Sequence, residues 1–259
     1  MSYWQDRMAA SQDAITKKNV KEIEKQQRKY YERTMKRTIA DFEATYDKLL
    51  ATVAADKTPT PADLYKLDRY WQLQAQSRRE LEKLGEREIT LLSKNFEKQW
   101  HDIYNSISLP SAAHYSTLDE GAVKQMISEI WVADGKSYSQ RIWGNTQDLI
   151  DMLNDELINC VATGRRTTEL KHALQEKFNV SYNRANSLVR TEMAHIQTQA
   201  ARQRYKDYGI EKIQVWADKD ERRCDVCGKL HKKEYNINEP VPIPAHPNCR
   251  CCVIPLVEI

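Results

Sequence analysis

Glycine is scarce in this sequence, with only seven residues among 259. The scarcity disfavours a glycine-rich phosphate-binding loop and an all-β fold, because both rely on glycine where the backbone turns tightly. The apolar runs fall well short of the roughly 20 residues that a membrane-spanning helix needs. The first residues, Met1-Ser-Tyr-Trp-Gln-Asp-Arg, also lack the apolar core of a signal peptide. We therefore expect a protein that stays in a reducing cytoplasm, without a membrane.

Charge of one sign is not in large excess either. Lys and Arg number 40 against 37 Asp and Glu, a net charge of +3 that is too small to indicate nucleic-acid binding by itself. Charged residues nevertheless make up 30% of the chain, which favours long solvated helices. The length is sufficient for one large domain or two ordinary ones.

Residues 1–110 carry the pattern of a long α-helical hairpin. Glycine and proline are absent between Gln5 and Val53, and apolar residues recur in alternating steps of four and three. This stripe consists of Met35, Ile39, Phe42, Tyr46, Leu49 and Val53. Thr60, which precedes Pro61, predicts the N-cap of a second helix whose apolar stripe continues to about residue 108.

Residues 117–210 predict an α-helical core domain with shorter helices and more frequent caps. A helix that begins near residue 167 is expected to be followed by a separate one, which Ser181 or Asn183 opens and Gly209 closes. Residues 211–259 predict a small β/loop module. The fold class is therefore mostly α: a long N-terminal α-hairpin, an α-helical core and a small C-terminal module.

Two strands are predicted within this C-terminal module. They are Ile213-Gln-Val-Trp216 and Cys251-Cys-Val-Ile-Pro-Leu-Val, one on either side of the intervening loop. Two strands alone would form only a marginal sheet.

Five of the six cysteines lie in this module, with the spacing of a metal site. Cys224-Asp-Val-Cys227 is followed by His246-Pro-Asn-Cys249, and a pair of sulfurs, a spacer and a histidine with a further sulfur are what tetrahedral zinc needs. We predict structural Zn²⁺ on these four residues, with Cys251 as the substitute for Cys249. The alternative is a set of reduced or disulfide-linked cysteines packed in a small core.

The remaining candidate ligands are weaker. Cys252 points opposite to its neighbours in an extended strand, so we predict that it is a buried hydrophobic residue. We predict that His231 lies in an exposed turn, which makes it only a weak candidate for a metal ligand. A catalytic zinc would keep one coordination position open, and a site with this many candidate ligands gives no reason to expect one. We therefore predict no catalytic residues.

A second motif, Arg190-Thr191-Glu192, lies three residues before His195 in a predicted helix. A Glu beside a His is compatible with acid–base chemistry. We favour a structural interpretation, either a buried Arg–Glu pair that locks helices together or a solvated helix face. Trp216 is expected to pack beneath the metal module, and Asp220, with Asp218, to cap backbone amides of the loop.

The segment from Lys17 to Arg37 is dense in cations. It could follow a phosphate backbone, and its candidate DNA contacts are Lys17, Lys18, Lys21, Lys25, Arg28 and Lys29. The alternative is a solvated helix with internal charge pairs, because Glu22, Glu24 and Glu32 lie in the same segment.

With these residues in view, the sequence from about 120 to 257 resembles the phage Mu F-like minor head protein family, also described as head morphogenesis or minor capsid proteins. The resemblance rests on the order of four features: Arg190-Thr191-Glu192, the Gly209-Ile turn, Trp216 with an acidic turn into Cys224-x-x-Cys227, and His246-Pro-Asn-Cys249-Arg-Cys251. Within that family the Cys and His positions look like zinc ligands.

The resemblance implies a low-copy component of a phage head. Such a protein would associate with the portal protein and with inner capsid or scaffold proteins, and would act in head assembly, DNA packaging or DNA delivery. It would lie inside the virion head near the portal, and in the host cytoplasm during assembly. Some related domains precede toxin or protease modules; because this chain ends at Ile259, we expect no appended enzyme.

Three functions therefore compete. The first is this head component. Apolar surface that its helical hairpin does not bury against itself, including Trp71 and Trp100, would meet a partner or further copies of the chain. The second is a zinc-dependent nuclease or toxin that uses Glu192 with His195. The third is a non-specific DNA-binding module that uses the Lys17–Arg37 segment. Further basic residues for this module are Arg222, Arg223, Lys229, Lys232 and Lys233.

Overall fold

The computed structural model describes residues 3–53, 56–109, 120–217 and 223–256. The described residues form seven helices and three strands, so the prediction of a mostly helical chain with a small C-terminal sheet is confirmed. The helices are α1 Tyr3–Thr52, α2 Pro61–Tyr65, α3 Asp68–Ser106, α4 Glu120–Ser128, α5 Tyr138–Ala162, α6 Thr167–Asp207 and α7 Asp225–Leu230. The strands are β1 Lys212–Trp216, β2 Glu234–Asn236 and β3 Cys252–Pro255. None of the helices in this part of the chain could span a membrane.

The predicted cap at Thr60 is present, but the helix that follows it is interrupted. Thr60 and Asp63 form a reciprocal capping box, in which the Thr60 amide donates to the Asp63 carboxylate at 3.1 Å. Helix α2 then ends at Tyr65 and α3 begins three residues later, so the prediction of one continuous helix is wrong. The Tyr65 carbonyl accepts the indole N–H of Trp71 at 3.1 Å, and this bond belongs to a bend between the helices.

Helix α6 corrects a second boundary. The predicted break near Ser181 is wrong, because a single helix runs from Thr167 to Asp207. Ser181 is fully buried and its hydroxyl lies 3.3 Å from that of Tyr31, so this serine packs within the helix instead of capping a new one. Gly209 closes the helix as predicted, with the positive φ of +72° that glycine adopts readily after a helix C-terminus.

The chain folds into two compact units, each built from separate segments. One comprises Met1–Glu24, Leu91–Tyr138 and Ser187–Ile259, and the other Lys25–Thr90 and Ser139–Asn186. The predicted division into segments 1–110, 117–210 and 211–259 stays a prediction. The second unit encloses an apolar core, which includes Phe42, Tyr46, Leu81, Leu153, Leu157 and Phe178.

In the first unit, Tyr205 of α6 fixes the position of the sheet. This side chain is completely buried, and its hydroxyl donates to the Val253 carbonyl of β3 at 3.1 Å. The same hydroxyl accepts from the Gln12 amide of α1 at 3.0 Å. A single side chain therefore joins two helices to the strand that leads out of the cysteine-rich segment.

The sheet has three antiparallel strands in the order β2-β1-β3. Val215 pairs with Val253 and Trp216 with Cys252, so the two predicted strands are neighbours. The sequence reading missed β2, because three residues with exposed ends are too short to show an alternating pattern. This third strand extends a two-stranded ribbon that would be marginal alone.

Candidate metal centre

The first two sulfurs of the centre are brought together by the short helix α7. Cys224 is the N-cap of this helix, and its Sγ accepts the backbone N–H of Cys227 at 3.4 Å. This amide lowers the pKa of Cys224, because it stabilises the thiolate. Burial raises the pKa of Cys227 to about 12. The local turn alone therefore places two sulfurs side by side, that of a partly buried cysteine and that of a buried one.

His246 completes a first group of three ligand atoms. Its Nε2 lies 3.3 Å from the Cys224 Sγ and 3.1 Å from the Cys227 Sγ. Its Nδ1 lies 2.8 Å from the Pro247 carbonyl. Since a carbonyl oxygen only accepts, the ring proton belongs on Nδ1. The lone pair on Nε2 is then directed at the sulfurs, as in a metal-ligating histidine whose other nitrogen is held by a carbonyl.

A second group of three shares Cys227 with the first. It consists of Cys227, Cys249 and Cys251, and in each group the ligand atoms lie within 4.8 Å of one another. The sulfurs of Cys227 and Cys249 are 3.7 Å apart. A hydrogen bond from the Cys251 thiol lowers the pKa of Cys249 to about 5 and raises that of Cys251. All the cysteines are free thiols, so no disulfide competes with a metal.

These residues fit a zinc ion. Thiolates about 2.3 Å from a tetrahedral metal lie roughly 3.7 Å from one another, which is the separation of Cys227 and Cys249. Both groups contain only cysteine and histidine, the soft donors that zinc prefers to carboxylates in structural sites. Cys224, Cys227 and His246 would supply three ligands, with Cys249 or Cys251 as the fourth.

The neighbouring residues of the module have other contacts. The His231 Nδ1 accepts the Ala217 amide at 3.2 Å, and its ring meets Trp216 edge-on, so this histidine supports the end of β1. Trp216 is buried against Cys252 and Ile254, and Cys252 is the buried residue that was predicted. The packing of Trp216 beneath a metal module stays a prediction. Asp220, like Asp218 and Arg222, lies outside the described residues.

The motif Arg190-Thr191-Glu192 faces three different segments. Arg190 forms an ion pair with Glu24 of α1 at 2.7 Å, so the arginine is paired with another helix and is half exposed. Thr191 accepts the Asn248 amide at 3.0 Å, next to the candidate metal ligands. Glu192 accepts the indole N–H of Trp131 at 2.9 Å. Of these contacts, only the ion pair of Arg190 joins two helices, and its arginine is half exposed, whereas Trp131 and Asn248 lie outside the helices.

The proposed acid–base pair is covered. Glu192 and His195 are each only 6% exposed, and Trp131 stacks on the His195 ring with the centroids 4.2 Å apart and the planes 5° from parallel. Burial lowers the pKa of His195 to about 4, so the imidazole is neutral at pH 7. This arrangement is that of packed side chains.

The cations of α1 lie at the surface. The six candidate DNA contacts Lys17, Lys18, Lys21, Lys25, Arg28 and Lys29 are all exposed. Lys17 is paired with Asp13, and Arg28 lies over the ring of Tyr182. Among the described residues, the other four have no ion-pair partner.

The two tryptophans that were expected to meet a partner differ in their exposure. Trp71 is 57% exposed and lies beside the exposed ring of Tyr65. Trp100 is only 1% exposed, so the prediction of a free Trp100 is wrong. Both lie on the apolar stripe of the same helix, and the sequence does not reveal which of them other helices cover.

Comparison with known proteins gives one family. Residues 151–254 match the family model of Phage Mu protein F like protein. The matched segment contains the last 12 of the 25 residues of α5, all of α6, β1 and β2, the candidate metal centre, and β3 as far as Ile254. Searches of curated proteins and of solved structures gave no match.

Proposed function

We propose that this chain, whose residues 151–254 form a phage Mu F-like region, is a low-copy minor head protein that acts in the assembly of a phage head. The observation that carries the proposal is the position of this match, which contains both the metal centre and Arg190-Thr191-Glu192. The protein would lie in the host cytoplasm during assembly, and then inside the virion head near the portal. A location near the portal would also allow the protein to act in DNA packaging or delivery.

The proposed partners are the portal protein and the inner capsid or scaffold proteins. The exposed pair of Tyr65 and Trp71 supplies the kind of aromatic anchor that dominates protein interfaces. The test is co-purification of the chain with the portal and scaffold proteins encoded beside it. Trp71→Ala should weaken capture at least tenfold, and Trp143→Ala, at a less exposed tryptophan, is the matched control. No capture by the wild-type chain would refute the portal association.

We further propose that the metal centre holds structural Zn²⁺. The ion would join α7 to the turn before β3 through Cys224, Cys227, His246 and either Cys249 or Cys251. A closed set of protein ligands supplies folding stability and no catalytic position. Elemental analysis should find about one zinc per chain, absent from Cys227→Ser, while the far-ultraviolet circular dichroism stays that of a helical protein. Equal zinc content in the wild type and in Cys227→Ser would refute the proposed zinc site.

We propose no enzymatic activity. The support is the burial of Glu192 and His195 beneath Trp131, together with a metal site made wholly of protein ligands. Incubation with DNA and RNA in the presence of divalent metals tests this. Cleavage by the wild type that Glu192→Ala abolishes would establish the nuclease alternative.

A DNA-contact function is the second candidate, favoured by four exposed lysines of α1 that have no ion-pair partner among the described residues. Neutralised phosphates release counterions, so each lysine that contacts DNA adds about 0.9 to the slope of log affinity against log salt. Replacement of Lys21 and Lys25 by glutamine should lower that slope by nearly two. Replacement of Arg166 and Lys66, exposed cations already paired with acidic residues, should leave it unchanged.

A further inference from the structure

The residues from His246 to Cys249, two of the candidate ligands, form a tight turn. The Cys249 amide donates to the His246 carbonyl at 3.1 Å, and Asn248 has a φ of +60°. Proline at the second position and a left-handed residue at the third are the pattern of a type II turn. Asparagine is one of the few residues with a side chain that adopts this φ readily. The turn places His246 and Cys249 at its two ends.

Two hydroxyls of helix α6 hold this turn from outside. The Asn248 backbone N–H donates to the Thr191 Oγ1 at 3.0 Å, and the Asn248 side-chain amide donates to the Ser187 Oγ at 3.1 Å. Ser187 and Thr191 are four residues apart, so they lie on the same face of the helix. Both polar groups at the tip of the turn are therefore bound by neighbouring residues of one helix.

The orientation of the Thr191 hydroxyl is fixed by a further bond. Its proton is donated to the Ser187 carbonyl at 2.7 Å, so the oxygen must act as acceptor toward Asn248. The flanking residues Arg190 and Glu192 bind Glu24 and Trp131, which fixes this part of α6 from other sides. The helix thus offers a fixed acceptor to a turn that lies 57 residues away in the sequence.

We infer that Thr191, with Ser187, is a positioning residue for the metal centre: it holds the turn so that His246 and Cys249 face the sulfur of Cys227. This role of the central residue of Arg190-Thr191-Glu192 rests on the proposed zinc site. Outer partners of this kind orient metal ligands, and their loss typically lowers metal affinity by about tenfold or more.

The rate of metal loss from the full-length chain tests the inference. Protein loaded with Co²⁺, which reports thiolate ligation by its absorbance, is mixed with excess chelator, and the experiment is repeated with Zn²⁺. Thr191→Val keeps the shape and removes the acceptor, so release should be about tenfold faster. Thr191→Ser restores the acceptor and should return the wild-type rate. Thr198→Val is the matched control, because Thr198 makes the same bond to the carbonyl four residues earlier, on the same helix.

A double-mutant cycle separates positioning from general destabilisation. If Ser187 acts through the Asn248 side chain, Ser187→Ala should accelerate release in the wild type and have no further effect in Asn248→Gly. The metal-free Thr191→Val and Thr198→Val proteins should unfold at the same temperature. Equal release rates for these two variants, or a Thr191→Ser protein as fast as Thr191→Val, would overturn the inference while leaving zinc binding intact. A wild-type protein that retains neither Co²⁺ nor Zn²⁺ would overturn both this inference and the proposed zinc site.

Discussion

Glu88 of α3 is a buried carboxyl group with no ion-pair partner among the described residues, and this predicts an unusual pH dependence of stability. The side chain is 1% exposed. One carboxyl oxygen accepts the Gln27 amide at 2.6 Å, and the other lies 3.3 Å from the Tyr31 hydroxyl. Burial is the main cause that raises the pKa of Glu88 to about 7. We expect Glu88→Gln to remove this titration while it keeps the shape and the hydrogen bonds of the protonated acid.

Glu88 ionises at a higher pH in the folded chain than in the unfolded chain, and this decides whether stability rises or falls with pH. Below pH 4.5 the carboxyl group is protonated in both the folded and the unfolded chain, so it has no effect on the pH dependence. Between that pH and about 7 the unfolded chain ionises and the folded one does not, so stability falls as pH rises. Above 7 the full penalty is present. A shift of about 2.5 pKa units corresponds to roughly 3 kcal/mol at 1.36 kcal/mol per unit.

Urea unfolding followed by circular dichroism measures this difference. The free energy of unfolding of Glu88→Gln minus that of the wild type should rise by roughly 3 kcal/mol from pH 4.5 to pH 8. Other titrating groups, His195 among them, are common to both proteins and cancel in the difference. Glu86→Gln, at an exposed carboxylate on the same helix, should show no such rise. Parallel pH profiles for Glu88→Gln and the wild type would refute the reasoning.

Three further predictions concern single residues. Of Cys249→Ala and Cys251→Ala, one should lose zinc and the other retain it in elemental analysis, and loss from neither would exclude both as the fourth ligand. Gly209→Ala should destabilise the protein by about 1 kcal/mol in denaturant titration, because the φ of +72° is strained for a residue with a Cβ. Leu153→Ala should cost about 2–5 kcal/mol, since this side chain is only 1% exposed in the apolar core; a smaller loss in the same titration would mean that the core closes over the cavity.

The sequence predicted the features that depend on local pattern. The stripe is helical from Met35 to Leu49, because three- and four-residue steps fit only that period, and its last residue, Val53, directly follows the end of α1. The Cys-x-x-Cys turn and the cap at Thr60 depend on neighbouring residues alone. Each of these could be predicted without knowing what packs against it.

Features that depend on distant residues were missed. Ser181 looked like a cap because its buried partner, Tyr31, lies 150 residues away. Trp100 looked like Trp71, and only the packing of other helices distinguishes them. The contact of Asn248 with Thr191 gave no local pattern at all. In the candidate metal centre, therefore, the sequence spacing indicated the candidate ligands, whereas the residues of α6 that bind their turn left no sequence pattern.

Cys227 belongs to both sulfur groups, and this asymmetry has a consequence for how the centre would tolerate damage. Cys249 and Cys251 belong to the second group only, so alkylation or oxidation of either leaves the group of Cys224, Cys227 and His246 complete. Loss of Cys227 would disrupt both groups. Chemical modification of the Cys227 sulfur would therefore damage the centre most, and the burial of this side chain shields it from reagents in solution.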